Sequence, residues 1–123
     1  MIKVYIVDDH LLVRTGVKRI LDDYRGITVV GEAATGEEAV KWCKEHQCDI
    51  VLMDMNLPGI DGIEATKQIR SLDRVDAKYI YIIAMTANAY IEDKQAVLEA
   101  GMNEHISKPI DFNHLYNLLL NRK

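Results

Sequence analysis

Three carboxylates, a hydroxyl and an ammonium recur in this sequence just after apolar runs. Asp8-Asp9 follow Ile2–Val7, Asp54 follows Ile50–Met53, Thr86 follows Tyr79–Met85, and Lys108-Pro109 follow His105–Ser107. Asp8, Asp9 and Asp54 brought together would raise one another's pKa and destabilise the chain unless a cation sat among them. Mg²⁺ fits such a set, being a hard ion that takes oxygen ligands and favours one or two carboxylates plus a phosphate. A carboxylate beside that ion can also be a nucleophile and form an aspartyl-phosphate. Asp54 is the candidate for that role. Lys108 would neutralise phosphoryl charge and Thr86 would donate a hydroxyl hydrogen bond. His10 adjoins the acidic pair but is a poor Mg²⁺ ligand and reads as a loop or helix-start residue.

An open parallel sheet would unite these scattered residues, because the carboxyl ends of its strands share one edge and ligand crevices form there. The sequence supports such a sheet. Strand-like and helix-like segments alternate five times. Helical spacing places Leu12, Val13, Val17, Ile20 and Leu21 inward over 12–24, and Gly26 closes that unit. A second strand is predicted over Thr28–Ala33 and a second helix over Gly36–His46. The run Ile50-Val51-Leu52-Met53 is apolar throughout, as expected of a strand buried on both faces. Pro58-Gly59 and Asp61-Gly62 mark a loop before a third helix carrying Ile63, Ala65, Thr66 and Ile69 inward. A fourth strand is expected over Tyr79–Met85, and a fourth helix over Glu92–Ala100 closed by Gly101. Asp111 is a suitable N-cap for a last helix with Leu115, Leu118 and Leu119 inward. The expected architecture is α/β: one domain over residues 1–123, a doubly wound parallel sheet with five helices on its two faces.

Composition narrows the function. A length of 123 residues with 49% hydrophobic residues suits a single core. The net charge of −4 offers no electrostatic footprint for nucleic acid or anionic membrane, so direct nucleic-acid binding is not expected. No apolar stretch reaches bilayer length and no secretory signal opens the chain. Cys43 and Cys48 lack the partners and spacing of a zinc site and read as reduced thiols, which points to the cytoplasm.

The motifs Val7-Asp8-Asp9, Met53-Asp54-Met55-Asn56-Leu57-Pro58-Gly59 with Gly62, Met85-Thr86-Ala87 and Ser107-Lys108-Pro109 resemble, in order and at strand ends, the receiver domain of two-component response regulators. The resemblance covers essentially the whole chain. It implies a flavodoxin-like sheet of strand order 2-1-3-4-5, for which a member of this family is a standard illustration. By position, Asp54 resembles the phosphoacceptor, and Asp8 and Asp9 the metal-binding pair. The main-chain carbonyl of Asn56 resembles a further metal ligand. Thr86 resembles the switch hydroxyl, Ala87 beside it a phosphate-binding position, and Lys108 the phosphate-pairing lysine. The family's switch aromatic falls on His105, whose ring can swing inward but also titrates near neutral pH. The implied donor is a phosphohistidine on a histidine kinase or histidine phosphotransfer protein. The receiver itself catalyses transfer onto its aspartate and usually the later hydrolysis, which makes it a signalling switch first and an enzyme second.

The opening, Val7-Asp8-Asp9-His10 with Leu12-Val13-Arg14-Thr15-Gly16, resembles regulators with a C-terminal helix-turn-helix domain. The stretch from Thr86 to Asp111 resembles receivers of hybrid sensor kinases. The stretch from Asp54 to Thr86 is slightly long for the family, with the surplus expected in the 71–78 loop. Leu118-Leu119-Leu120 serve either the core or a homodimer contact. Three alternatives stay open: a receiver that works unphosphorylated, an aspartyl-nucleophile phosphatase (disfavoured by Asn56 two residues after Asp54), and a flavodoxin-like cofactor carrier.

Overall fold

The computed structural model describes residues 1–86 and 91–121, with side chains for 1–86 and 95–121. Its elements are β1 (Ile2–Val7), α1 (Leu11–Asp22), β2 (Ile27–Ala33), α2 (Gly36–Glu45), β3 (Ile50–Asp54), α3 (Gly62–Arg70), β4 (Tyr81–Thr86), α4 (Ile91–Ala100), β5 (Glu104–Ser107) and α5 (Phe112–Asn121), with a 3₁₀ turn at Asp76–Lys78. The five strands form one parallel sheet in the order β2-β1-β3-β4-β5, as the motifs implied.

Strand alternation divides the core into two layers. Tyr5, Val7, Val51, Met53, Ile82 and Ala84 point to the face covered by α2, α3 and α4. Val4, Ile6, Ile50, Leu52, Ile83, Met85 and Ile106 point to the other face, where Val17 and Leu21 of α1 meet Leu115 and Leu119 of α5. β3 lies centrally and every one of its residues is buried, which explains its unbroken apolar run. On the first face Trp42 of α2 stacks on Tyr5 of β1 at 4.1 Å between ring centres, and His46 stacks on Trp42 at 4.8 Å.

Several boundaries depart from the sequence expectation for local reasons. β4 begins at Tyr81, two residues later than expected. The 3₁₀ turn carries the chain through Tyr79, whose N–H donates to Asp76 O, and leaves its ring exposed. The expected surplus before β4 is thus partly this turn. β4 runs on to Thr86, which makes the hydroxyl its last residue. α1 spans Leu11–Asp22. Only Val17 and Leu21 of its predicted inward set are fully buried, while Leu12 and Ile20 face solvent. Of the three terminal leucines, Leu119 is buried, Leu118 packs against the core and Leu120 is exposed.

The helix ends behave as their residues dictate. Thr35 and Asp61 cap α2 and α3 by accepting from the N–H groups of Glu38 and Glu64. Asp111 accepts from Asn113 and His114 at the start of α5. α4 closes in a Schellman turn: Gly101 has φ +101°, its N–H donates to Leu98 O, and Met102 N–H donates to Val97 O. Arg70, at the end of α3, then donates to Gly101 O at 2.9 and 2.7 Å, to Ala77 O at 3.1 Å and to Asn103 Oδ1 at 2.9 Å.

Candidate functional site

Each strand delivers its polar residue to one edge. Asp8 is fully buried directly after β1, and its N–H donates to Ala33 O on β2. Asp54 ends β3 and Thr86 ends β4, both buried. Lys108 follows β5, its N–H donates to Thr86 O at 2.8 Å, and the Lys108–Pro109 peptide is cis. The ammonium of Lys108 lies 2.9 Å from Asp8 Oδ2 and 3.3 Å from Asp54 Oδ2. Residues 100 positions apart thus form one charge-assisted hydrogen bond, to Asp8, with a second ion pair, to Asp54, beside it.

The acids are braced from behind. Asn56 N–H donates to Asp54 Oδ1 at 3.1 Å. Met55 N–H donates to Met85 O, holding the residue after Asp54 against β4. Gly62 lies so close that a Cβ there would fall 2.4 Å from the Asp54 carbonyl oxygen, so only glycine lets the α3 entrance approach the acid. Arg14 on α1 donates to Asp8 O at 2.6 Å and pairs with Glu32 Oε1 at 2.8 Å. His10, the N-cap residue of α1, turns its ring back onto the acids, with Nδ1 3.3 Å from Asp8 Oδ1 and 3.1 Å from Asp9 Oδ1.

Electrostatics set the character of this edge. Burial pushes the Asp54 carboxyl above its usual range. Asn56 N–H opposes that, the neighbouring Asp8 charge adds to it, and Lys108 pulls back. Burial disfavours the Lys108 ammonium, but Asp8 and Asp54 outweigh burial and hold its pKa above the ordinary lysine value. The Lys108 ammonium faces Asp8 and Asp54, and the Asp9 carboxylate stands beside them. Single donor atoms from Asp8, Asp9, His10 and Asp54 all lie within 4.8 Å of one another. Three hard oxygens at that spacing fit a divalent cation such as Mg²⁺.

The structure therefore unites Asp8, Asp9, Asp54 and Lys108, with Thr86 one strand further along the same edge and the Asn56 backbone against Asp54. His105 pairs with Ala84 on β5, two residues short of the edge. Its ring is 17% exposed and lies 3.7 Å from the Glu104 carboxylate. Ala87 lies outside the described residues. The bracing by Arg14 and the inward turn of His10 were not anticipated. Arg14 binds a main-chain oxygen, which leaves no mark in residue spacing.

Comparison with known proteins agrees with this geometry. The response regulator receiver domain family matches residues 4–120. The response regulator UvrY of Escherichia coli is 49% identical over 108 residues, which is 88% of this chain and 48% of that protein. GacA of Pseudomonas viridiflava is 54% identical over 108 residues, with 88% and 49% covered. The chain spans about half the length of these curated relatives. A solved receiver domain of a sensor histidine kinase from Pseudomonas aeruginosa, with a magnesium ion coordinated in its active-site cleft, superposes with a TM-score of 0.83 at 33% identity over 95% of this chain and 93% of that one. Chemotaxis response regulator CheY4 of Vibrio cholerae gives a TM-score of 0.87 at 30% identity, covering 98% and 97%. The chain belongs to the response regulator receiver domain family, whose members signal by magnesium-dependent phosphorylation of an aspartate.

Proposed function

We propose that Asp54 accepts a phosphoryl group from a phosphohistidine on a histidine kinase or histidine phosphotransfer protein, and that Asp8, Asp9, Asp54 and the Asn56 carbonyl hold Mg²⁺. The observation that carries the reading is Lys108 Nζ bridging Asp8 and Asp54 at the strand edge. In the transfer, a carboxylate oxygen of Asp54 bonds to phosphorus, the N–P bond breaks, and the donor imidazole leaves with the electron pair and takes up a proton. When bound, Mg²⁺ supplies positive charge for the phosphoryl oxygens. Lys108, already held between the two acids, is placed to pair with one of those oxygens.

Thr86 would then donate to a phosphoryl oxygen, and His105 would turn toward the space beneath β4. Such a change shifts a balance between two packings around α4, β5 and α5, and throwing it fully needs about 5.5 kcal/mol of preference. Several charge-assisted hydrogen bonds of about 1.5–3 kcal/mol each are of that order. Incubation with Mg²⁺ and acetyl phosphate should add one phosphoryl mass on Asp54. A beryllofluoride salt should shift the amides of Asp54, Thr86 and Lys108. No mass gain, or acid-stable labelling that persists in Asp54→Asn, rejects the assignment.

A further inference from the structure

His10 stands at the acidic edge without a part in the phosphoryl chemistry. Its ring is two-thirds exposed, yet Nδ1 faces the carboxylates rather than solvent, at 3.3 Å from Asp8 Oδ1 and 3.1 Å from Asp9 Oδ1. It makes no capping hydrogen bond for α1, so its side chain is not needed to start the helix. Two ligands on one zinc-class ion, each about 2.1 Å from it, stand about 3.0–3.4 Å apart in octahedral or tetrahedral geometry. Both gaps fall in that interval. They also suit hydrogen bonds from a ring N–H, so the ring is held at the acids with or without an ion. Among the described residues no other group of three such donors converges. Burial also raises the Cys43 and Cys48 thiols to about 11 and about 12, which keeps them protonated and poor ligands near neutral pH.

Resting on the reading of Asp8, Asp9 and Asp54 as a cation site, we propose that His10 sets the metal selectivity of this edge: its Nδ1 is a fourth donor that draws zinc-class ions (Zn²⁺, Co²⁺, Ni²⁺) into the pocket in competition with magnesium. The chemistry follows from donor softness. Imidazole nitrogen suits Zn²⁺, Ni²⁺ and Cu²⁺, whereas Mg²⁺ keeps to oxygen. A receiver whose acids are all oxygen donors would separate these ions only by their general order of affinity. Here the nitrogen adds a preference of its own. The consequence is a receiver whose magnesium is displaced when zinc-class ions are abundant.

The test is zinc chloride titrated into the intact chain, followed by imidazole ¹⁵N NMR and by calorimetry in the presence and absence of magnesium. The His10 Nδ1 resonance should move with zinc and hold still with magnesium, and excess magnesium should reverse the zinc effect. His10→Ala should weaken zinc binding by about tenfold or more, since even outer-shell changes at metal sites cost 10–100-fold, and magnesium binding far less. His10→Asn, which offers only an amide oxygen in reach, should behave like the alanine variant toward zinc. If magnesium shifts the Asp8, Asp9 and Asp54 amides but zinc leaves the His10 ring unmoved or binds both variants as tightly as the parent, the selectivity role is wrong and the cation site stands. If neither ion touches those amides, both readings fall.

Discussion

Replacing Asp54 by asparagine should make the metal-free protein more stable, although it removes the proposed phosphoacceptor. Asp54 has donor atoms of Asp8 and Asp9 within 4.8 Å and the Lys108 ammonium at 3.3 Å. At an effective dielectric near 20, each carboxylate pair at that limit repels by about 3.5 kcal/mol and the lysine attracts by about 5 kcal/mol. Asp9 is one-third exposed, so solvent screens its share. The charges then nearly cancel, and burial, the largest cause, tips the total against the ionised Asp54 by about 1–2 kcal/mol. An amide of the same shape keeps the hydrogen bond from Asn56 N–H and loses the charge. With about 3–5 °C per kcal/mol for a domain of this size, Asp54→Asn should melt several degrees higher in EDTA at neutral pH.

The sign with pH is fixed by the raised pKa. The folded state holds the Asp54 proton more tightly than the unfolded chain. Wild-type stability from this group is therefore greatest below the unfolded carboxylate range and is lost as pH rises through the folded value. The advantage of the variant should vanish in acid and be full near neutrality. Magnesium should reverse the order, since ligand at about 100 times its Kd stabilises the wild type by about 2.7 kcal/mol. Thermal melts followed by circular dichroism, in EDTA and in millimolar magnesium, give all four values. A variant no more stable than wild type in EDTA at neutral pH would refute the account of the edge as an unbalanced charge cluster.

Other perturbations test the surrounding parts. Lys108→Met leaves Asp8 and Asp54 without their shared cation and should cost about 3 kcal/mol in urea unfolding without metal, with magnesium restoring part of it. Gly62→Ala sets a Cβ against the Asp54 carbonyl and should cost about 2 kcal/mol, while acetyl-phosphate labelling of Asp54 slows. Arg70→Met removes the hydrogen bonds to Gly101, Ala77 and Asn103 and should cost about 3 kcal/mol, with hydrogen exchange accelerating first at Gly101 and Met102.

The sheet was legible because burial on both faces writes itself as apolar runs. Once the strands are parallel, their carboxyl ends must meet, so Asp8, Asp54, Thr86 and Lys108 could be placed on one edge without coordinates. What eluded the sequence depends on contacts that no periodicity records. Tyr79 continues an apolar run yet stands outside β4, because it caps the 3₁₀ turn Asp76–Lys78 and spends its N–H on Asp76 O. Leu12 and Ile20 share the helical spacing of Val17 and Leu21 but fall on the exposed side of the α1 stripe. Arg14 works through the main-chain oxygen of nearby Asp8 and Arg70 through that of distant Gly101, so their importance is invisible in residue types alone. His10 reads as a loop or helix-start residue and is the N-cap of α1; the direction of its ring depends on the chain turn between Asp8 and α1.

The ring stack between β1 and α2 gives the protein a built-in optical probe. Trp42 is the sole tryptophan, and it leans on Tyr5 of β1, the strand that leads into Asp8. An indole sandwiched between a phenol and an imidazole emits according to how tightly those rings hold it. Emission that tracks a magnesium or phosphodonor titration would therefore mean that β1 itself has shifted against α2. A steady trace alongside moving amides at Asp8 would mean that the strand stays rigid and the adjustment ends in the loop.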